Sequence, residues 1–270
     1  MTEIAPLSEA SDAERFGGKA AGLACALRAG LPVPPGFALS AELVDAVAKG
    51  NPLALATLSE LAQTLESEVA VRSSAIGEDS QTASFAGQHK TLLNVDARMG
   101  LESAVREVWL SARSPAALAY RARLRLSESV IRIGVVLQSM LDPELAGVLF
   151  TRNPVSGADE RVIEAAPGLG ESVVMGLVTP DFYRVARGGR LLEARAGLKD
   201  VQVRPAPGGG TQESEVAAHW VTQCCLTESQ LVALEALAEA CERTFDGSRD
   251  LEWAFVNEKL YLLQCRAVTR

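Results

Sequence analysis

The chain has 270 residues, 48% of them hydrophobic and 22% charged, enough to build one large domain or two packed lobes around a substantial core. A net charge of −8, with Lys and Arg scattered rather than clustered, argues against nucleic acid as a partner. No apolar run approaches the roughly eighteen residues that cross a bilayer, which argues against a membrane protein.

The start, "MTEIAPLSEASDAERF", lacks a basic-then-apolar leader pattern. The five cysteines contain no CxxC pair and read as reduced thiols, so a cytoplasmic protein without a structural metal is expected. His89 and His219 are too isolated in sequence to suggest a histidine-rich metal site or a Ser-His-Asp triad.

Along the chain, Gly17-Gly18 opens a predicted helix, "KAAGLACALRA", that stops at Gly30 before the extended exit Leu31-Pro32-Val33-Pro34-Pro35. Helical spacing continues over Ala41 to Lys49 and Leu53 to Ser67. Val69-Ala70-Val71 reads as a strand that runs into Arg72-Ser73-Ser74. A long run of small and polar residues follows before strand character returns at Lys90 to Val95. Long loops rich in glycine and hydroxyls are uncommon inside compact domains and are usually functional.

Two more helices are predicted, over Gly100 to Ala112 and from Ser114-Pro115. Beyond Val130 the texture turns to strands: "VIRIGVVLQSML", "LAGVLFTR", "RVIEAA", "DFYRVARG" and "RLLEAR". Ala206-Pro207-Gly208-Gly209-Gly210 reads as a flexible loop. Thr227 with Gln230 forms a capping box, and Leu231, Leu234, Leu237, Ala238, Cys241 and Phe245 make one apolar helical stripe that serves the core. A helix-rich first half therefore joins a β-rich second half near Leu137 to Met140.

The last stretch, "DLEWAFVNEKLYLLQCR", predicts a hairpin with the three-residue connection Asn257-Glu258-Lys259. Pairing Val256 with Leu260 opposes Phe255 to Tyr261, Trp253 to Leu263 and Leu251 to Cys265 on one apolar face. The other face carries Ala254 opposite Leu262, Glu252 opposite Gln264, and Asp250 opposite Arg266. Two readings fit that second face. One is a solvated surface with a cross-strand ion pair. The other is a Mg²⁺ and phosphate site, since hard cations take oxygen ligands and Arg clamps phosphate.

With the loop and the hairpin in hand, the chain resembles the N-terminal ATP-grasp domain of the phosphoenolpyruvate synthase, pyruvate phosphate dikinase and rifampin phosphotransferase family. The motifs that carry the likeness are Gly17-Gly18-Lys19, "GLPVPPGFALS", "VRSSAIGEDSQTASFAGQ", "VVLQSM", "LAGVLFTRNPVSG", "GLGESVVMG" and the terminal hairpin, in the family's order. The resemblance implies an α+β, two-lobed ATP-grasp fold, with a first lobe of about residues 1–137 and a second of about 138–270.

It further implies ATP and Mg²⁺ as ligands. Lys19 and Arg72 would contact phosphates, Gly87 and Thr91 would line the triphosphate, and Gln138 would sit at the adenine hinge. Glu252 and Gln264 would hold Mg²⁺, with Asp250 and Glu171 as further acidic positions near it. Arg266 would stabilise charge on the transferring group. The implied reaction moves a phosphoryl or pyrophosphoryl group to a carrier histidine, and pyruvate, water, a glucan or an antibiotic hydroxyl are all open as final acceptor.

Family members continue into a swivelling carrier domain and a substrate domain. This chain stops at Arg270, neither histidine has the family's "SHAA"-like setting, and the segment between Phe37 and Val69 is shorter than usual. Three expectations follow: partner domains acting in trans, a piece of a longer protein, or a nucleotide-binding module without turnover.

Overall fold

The structure is a computed structural model that describes residues 3–77, 90–123 and 131–268. Its elements are β1 (Ile4–Pro6), α1 (Ala13–Phe16), α2 (Gly18–Arg28), β2 (Gly36–Leu39), α3 (Ala41–Ala48), α4 (Pro52–Ala62), β3 (Glu68–Ala75), β4 (Thr91–Asp96), α5 (Leu101–Ser111) and α6 (Pro115–Arg123). There follow β5 (Ile133–Ser139), β6 (Leu145–Phe150), β7 (Glu160–Pro167), α7 (Glu171–Val174), β8 (Asp181–Ala186), β9 (Leu191–Arg195), β10 (Val201–Pro205), β11 (Thr211–Glu215), α8 (Glu228–Phe245), β12 (Arg249–Val256) and β13 (Lys259–Ala267). The fold class is α+β. The chain divides into two compact units: residues 1–27, 35–140 and 206–210 form the first, and 28–34, 141–205 and 211–270 the second.

The first unit contains an antiparallel five-stranded sheet in the order β1-β2-β5-β3-β4. Alternation along β3 and β5 sends Val69, Val71, Ala75, Ile133, Val135 and Leu137 to one side. There they join Val44, Val47, Leu58, Leu101, Val105 and Val108 in an apolar core. The predicted helix at Leu53 to Ser67 begins with Pro at its first position and stops at Ala62, because Gln63 and Thr64 turn back on Glu60 and Leu61. The short strands β1 and β2 were not foreseen. Three and four residues are too few to show a period.

The loop at residues 206–210 is pinned, not free: Asn94 Nδ2 donates to the carbonyls of Ala206 and Gly210, each at 2.8 Å. Asn94 itself sits at φ 55°, a left-handed value that Asn tolerates better than most residues.

The second unit holds a six-stranded antiparallel sheet, β13-β12-β6-β7-β8-β9, and the hairpin β10-β11. The α8 stripe packs on one face of the six-stranded sheet. Leu231, Leu234, Leu237, Ala238 and Cys241 are buried, and Thr227 and Gln230 form the expected reciprocal cap.

The terminal hairpin follows the expected register only in its charged half. Asp250 opposes Arg266, Leu251 opposes Cys265 and Glu252 opposes Gln264. A bulge after Glu252 then shifts the pairing, so Trp253 faces Leu262, Ala254 faces Tyr261, Phe255 faces Leu260 and Val256 faces Lys259. The cause is the turn. Asn257 and Glu258 sit at φ 49° and 63°, a two-residue type I′ connection, where a three-residue one was expected. The bulge absorbs the lost residue and restores the register before the charged pairs.

Candidate functional site

In the first unit, the face of the sheet opposite the core gathers the expected residues. Thr91, Arg72 and Val136 lie in one row across β4, β3 and β5, and Ala70, Gln138 and Gly36 lie in the next. Directly opposed residues share a face, so Arg72, Thr91, Gln138 and Ser74 all point the same way. Arg72 and Gln138 are only 7% and 2% exposed.

The start of α2 presses against this face. The Ala20 amide donates to Ser74 Oγ at 3.0 Å, and a Cβ on Gly17 would lie 2.1 Å from the Ser74 carbonyl oxygen. Only glycine fits there, and its φ of 87° also requires glycine. Lys19 therefore sits in the first turn of a helix that abuts the Arg72 strand. A helix N-terminus with Lys and Arg nearby favours an anion. Ser74 was not singled out in the sequence, although the pair Ser73-Ser74 directly after Arg72 was the available signal. Gly87 lies outside the described residues.

In the second unit, the face away from α8 carries a row Gln264–Glu252–Val148–Glu164–Phe182 and, beside it, Arg266–Asp250–Phe150–Val162–Arg184. Arg266 donates to Asp250 Oδ2 from Nε at 2.8 Å and from Nη2 at 2.6 Å. Burial pushes the Asp250 carboxyl up, the Arg266 charge and hydrogen bond pull it back, and Glu252 adds repulsion. The net shift is above the ordinary range. Asp250 is thus occupied with orienting Arg266.

Glu252 and Gln264 face each other across the hairpin, a carboxylate beside an amide oxygen. That donor set suits Mg²⁺, which takes few protein ligands when it shares phosphate oxygens. Glu171 lies on α7, where it accepts from Thr211 Oγ1 at 3.2 Å. No group of three His, Cys, Asp or Glu side chains suited to a metal ion occurs among the described residues. Glu164 was missed in the sequence because it interrupts the apolar run "RVIEAA". It is half-buried, and burial pushes its carboxyl up.

Residues 52–270 match the family described as "Pyruvate phosphate dikinase, AMP/ATP-binding domain". The chain is 37% identical over 236 residues to a rifampicin phosphotransferase of Streptomyces sviceus, covering 86% of this chain and 27% of the relative. It is 33% identical over 299 residues to a probable phosphoenolpyruvate synthase of Methanothermobacter thermautotrophicus, covering 94% and 44%. Against a phosphoenolpyruvate synthase of Pyrococcus furiosus it is 38% identical over 223 residues, covering 78% and 27%. The chain therefore spans less than half the length of these relatives. No described helix is long and apolar enough to cross a membrane. With the match running from α4 through the terminal hairpin, the chain belongs to the pyruvate phosphate dikinase AMP/ATP-binding domain family.

Proposed function

We propose that the chain binds Mg·ATP and passes a pyrophosphoryl group to a histidine on a carrier domain, in the manner of the dikinases. The observation that carries this reading is the charged half of the hairpin. Glu252 faces Gln264, and beside them Asp250 holds Arg266 on the same open face.

The chain's own work is to bind and to orient. Lys19, Arg72, Gly87 and Thr91 would hold the triphosphate, and Gln138 would read the base. Mg²⁺ held by Glu252 and Gln264 would neutralise charge on the phosphate oxygens. Arg266, kept in place by Asp250, would meet charge that develops as the carrier histidine nitrogen bonds to the β-phosphorus and the bond from that phosphorus to the α,β-bridging oxygen breaks, with AMP as leaving group. The carrier histidine and the domain that binds the final acceptor would act alongside this one.

Mg·ATP at about 100 times its dissociation constant would add roughly 2.7 kcal/mol of stability. With ATP labelled at the β-phosphate and a carrier domain from a related enzyme, label should reach the carrier. Arg266→Ala should lower that transfer by orders of magnitude at a smaller cost in ATP affinity, as loss of a transition-state contact does. Label arriving only from the γ-phosphate, on a hydroxyl acceptor, would make the protein a simple kinase. ATP binding without transfer to any carrier would make it a nucleotide-binding module.

A further inference from the structure

Among the described residues, Glu164 has no structural partner that explains it. It lies mid-strand on β7, in line with Val148 of β6 and Phe182 of β8, on the face that carries Glu252 and Gln264. It is half-buried, yet its carboxylate makes no hydrogen bond or ion pair among the described residues. Asp250, Glu160, Asp181 and Glu193, set into the same sheet, are paired with Arg266, Arg184, Lys199 and Arg184. A desolvated carboxylate without a donor costs stability, so its place in the sheet calls for a ligand.

Two ligand classes fit a carboxylate, a cation or a pair of hydroxyls. Position speaks for hydroxyls. Glu164 is two strands from Glu252, which at about 4.8 Å per strand places it roughly 10 Å along the face. A triphosphate anchored at Glu252 and Gln264 spans that distance before its ribose. The floor between the two carboxylates is the half-buried side chain of Val148, with Phe182 beyond, a surface that asks nothing polar of the ligand.

We propose that Glu164 reads the sugar of the bound nucleotide, its two carboxylate oxygens accepting hydrogen bonds from the vicinal 2′- and 3′-hydroxyls. This rests on the proposal that ATP occupies the Glu252–Gln264 face. A carboxylate matches a vicinal diol because both its oxygens accept in one plane and neither can donate to compete. The site would then select ribonucleotides over their deoxy analogues.

The test measures binding of Mg·ATP and of Mg·2′,3′-dideoxy-ATP by calorimetry to the wild-type chain, Glu164→Gln and Glu164→Ala. Wild type should bind ATP about tenfold or more tightly than the dideoxy analogue, the size expected for hydrogen bonds to a charged group. Glu164→Ala should lose that preference by weakening ATP alone, with affinity for the analogue unchanged. Without nucleotide, both variants should melt no lower than wild type, so lost affinity cannot be blamed on lost folding. Equal binding of the two nucleotides by wild type, or a preference that survives Glu164→Ala, would overturn the sugar-reading role and leave the ATP proposal intact. If neither nucleotide binds, or if binding is indifferent to Glu252→Ala, both proposals fall together.

Discussion

Both units set their motif residues on one face of an antiparallel sheet, but what backs each sheet is different. Behind Arg72, Thr91 and Gln138 lies an apolar layer: Val69, Val71, Val135 and Leu137 against Val44, Val47, Leu101, Val105 and Val108. Behind Glu252 and Gln264 the packing is partly ionic. Arg161, on the rear of β7 and fully buried, donates to Glu235 at 2.6 Å, to Glu242 at 3.0 Å and to the Thr151 carbonyl at 2.5 Å. At the far end Lys199 donates to Asp181 at 2.5 Å and to the Gln223 carbonyl at 3.1 Å. Asp181 also accepts from the amides of Gly197 and Cys225. Apolar packing is non-directional and indifferent to pH, whereas buried charge tolerates only complete satisfaction. The second sheet is therefore the more easily broken by the loss of a single charged partner.

The sharpest way to break the comparison is Arg161→Ala. It strands Glu235 on α8 without its cation and leaves Glu242 to Arg187 alone, and should cost about 3–5 kcal/mol. The cost should also depend on pH. Burial pushes Glu242 up, but the Arg187 hydrogen bond and the Arg161 charge outweigh it and hold the carboxyl below its ordinary value. A depressed carboxyl gives stability that is present above the unfolded value of 4.5 and is lost as pH falls through the folded one. The difference between wild type and Arg161→Ala should therefore shrink below pH 4.5. Denaturant unfolding at pH 7 and pH 4, with hydrogen exchange on peptides from α8 and β12, would show it. An unchanged difference would mean that the clamp acts through shape alone.

Leu58→Ala is the matching test in the first unit. Leu58 is buried in the apolar core on α4, and its removal should cost within roughly 2–5 kcal/mol, toward the lower end because α4 can settle into the space. Its cost should be the same at both pH values. Protection should fall in α4 and α5 first. A pH-dependent penalty would show that the two cores are less different than their composition suggests.

What the sequence made legible follows the same division. Local signals were enough for α5, for the capping box of α8 and for the alternation of Asp250, Glu252, Gln264 and Arg266, because each depends on neighbours within a few positions or on one hairpin. The bulge after Glu252 was hidden, since a two-residue turn with both residues at positive φ gives only a weak signal in Asn257-Glu258. Arg161 was hidden for another reason. Its partners lie 74 and 81 residues away, and a charged residue opening an apolar strand looks like an edge, not a clamp. Ser74 contacts the α2 start across 54 residues, which no period could show.

Glu164 lets the smallest effect discriminate most finely, because it is the charge on the second sheet that no partner among the described residues compensates. Its carboxyl is raised by burial. The sign is opposite to that of Glu242. A raised carboxyl means the ionised form is disfavoured in the fold, so the cost is fully present above the folded value and disappears below the unfolded value of 4.5. Glu164→Gln keeps the shape and removes the charge. It should therefore stabilise the nucleotide-free protein at pH 7, by an amount within about 0.5 kcal/mol, as expected for a group still in contact with solvent. The gain should fade to nothing as pH drops below 4.5, where wild type carries its own proton. Paired thermal melts of the two proteins across pH 4 to 8 would measure this, and Mg·ATP should reverse the order by favouring wild type. If Glu164→Gln is instead less stable at pH 7, the carboxylate has a structural partner, and its open position on the sheet is no argument for a ligand.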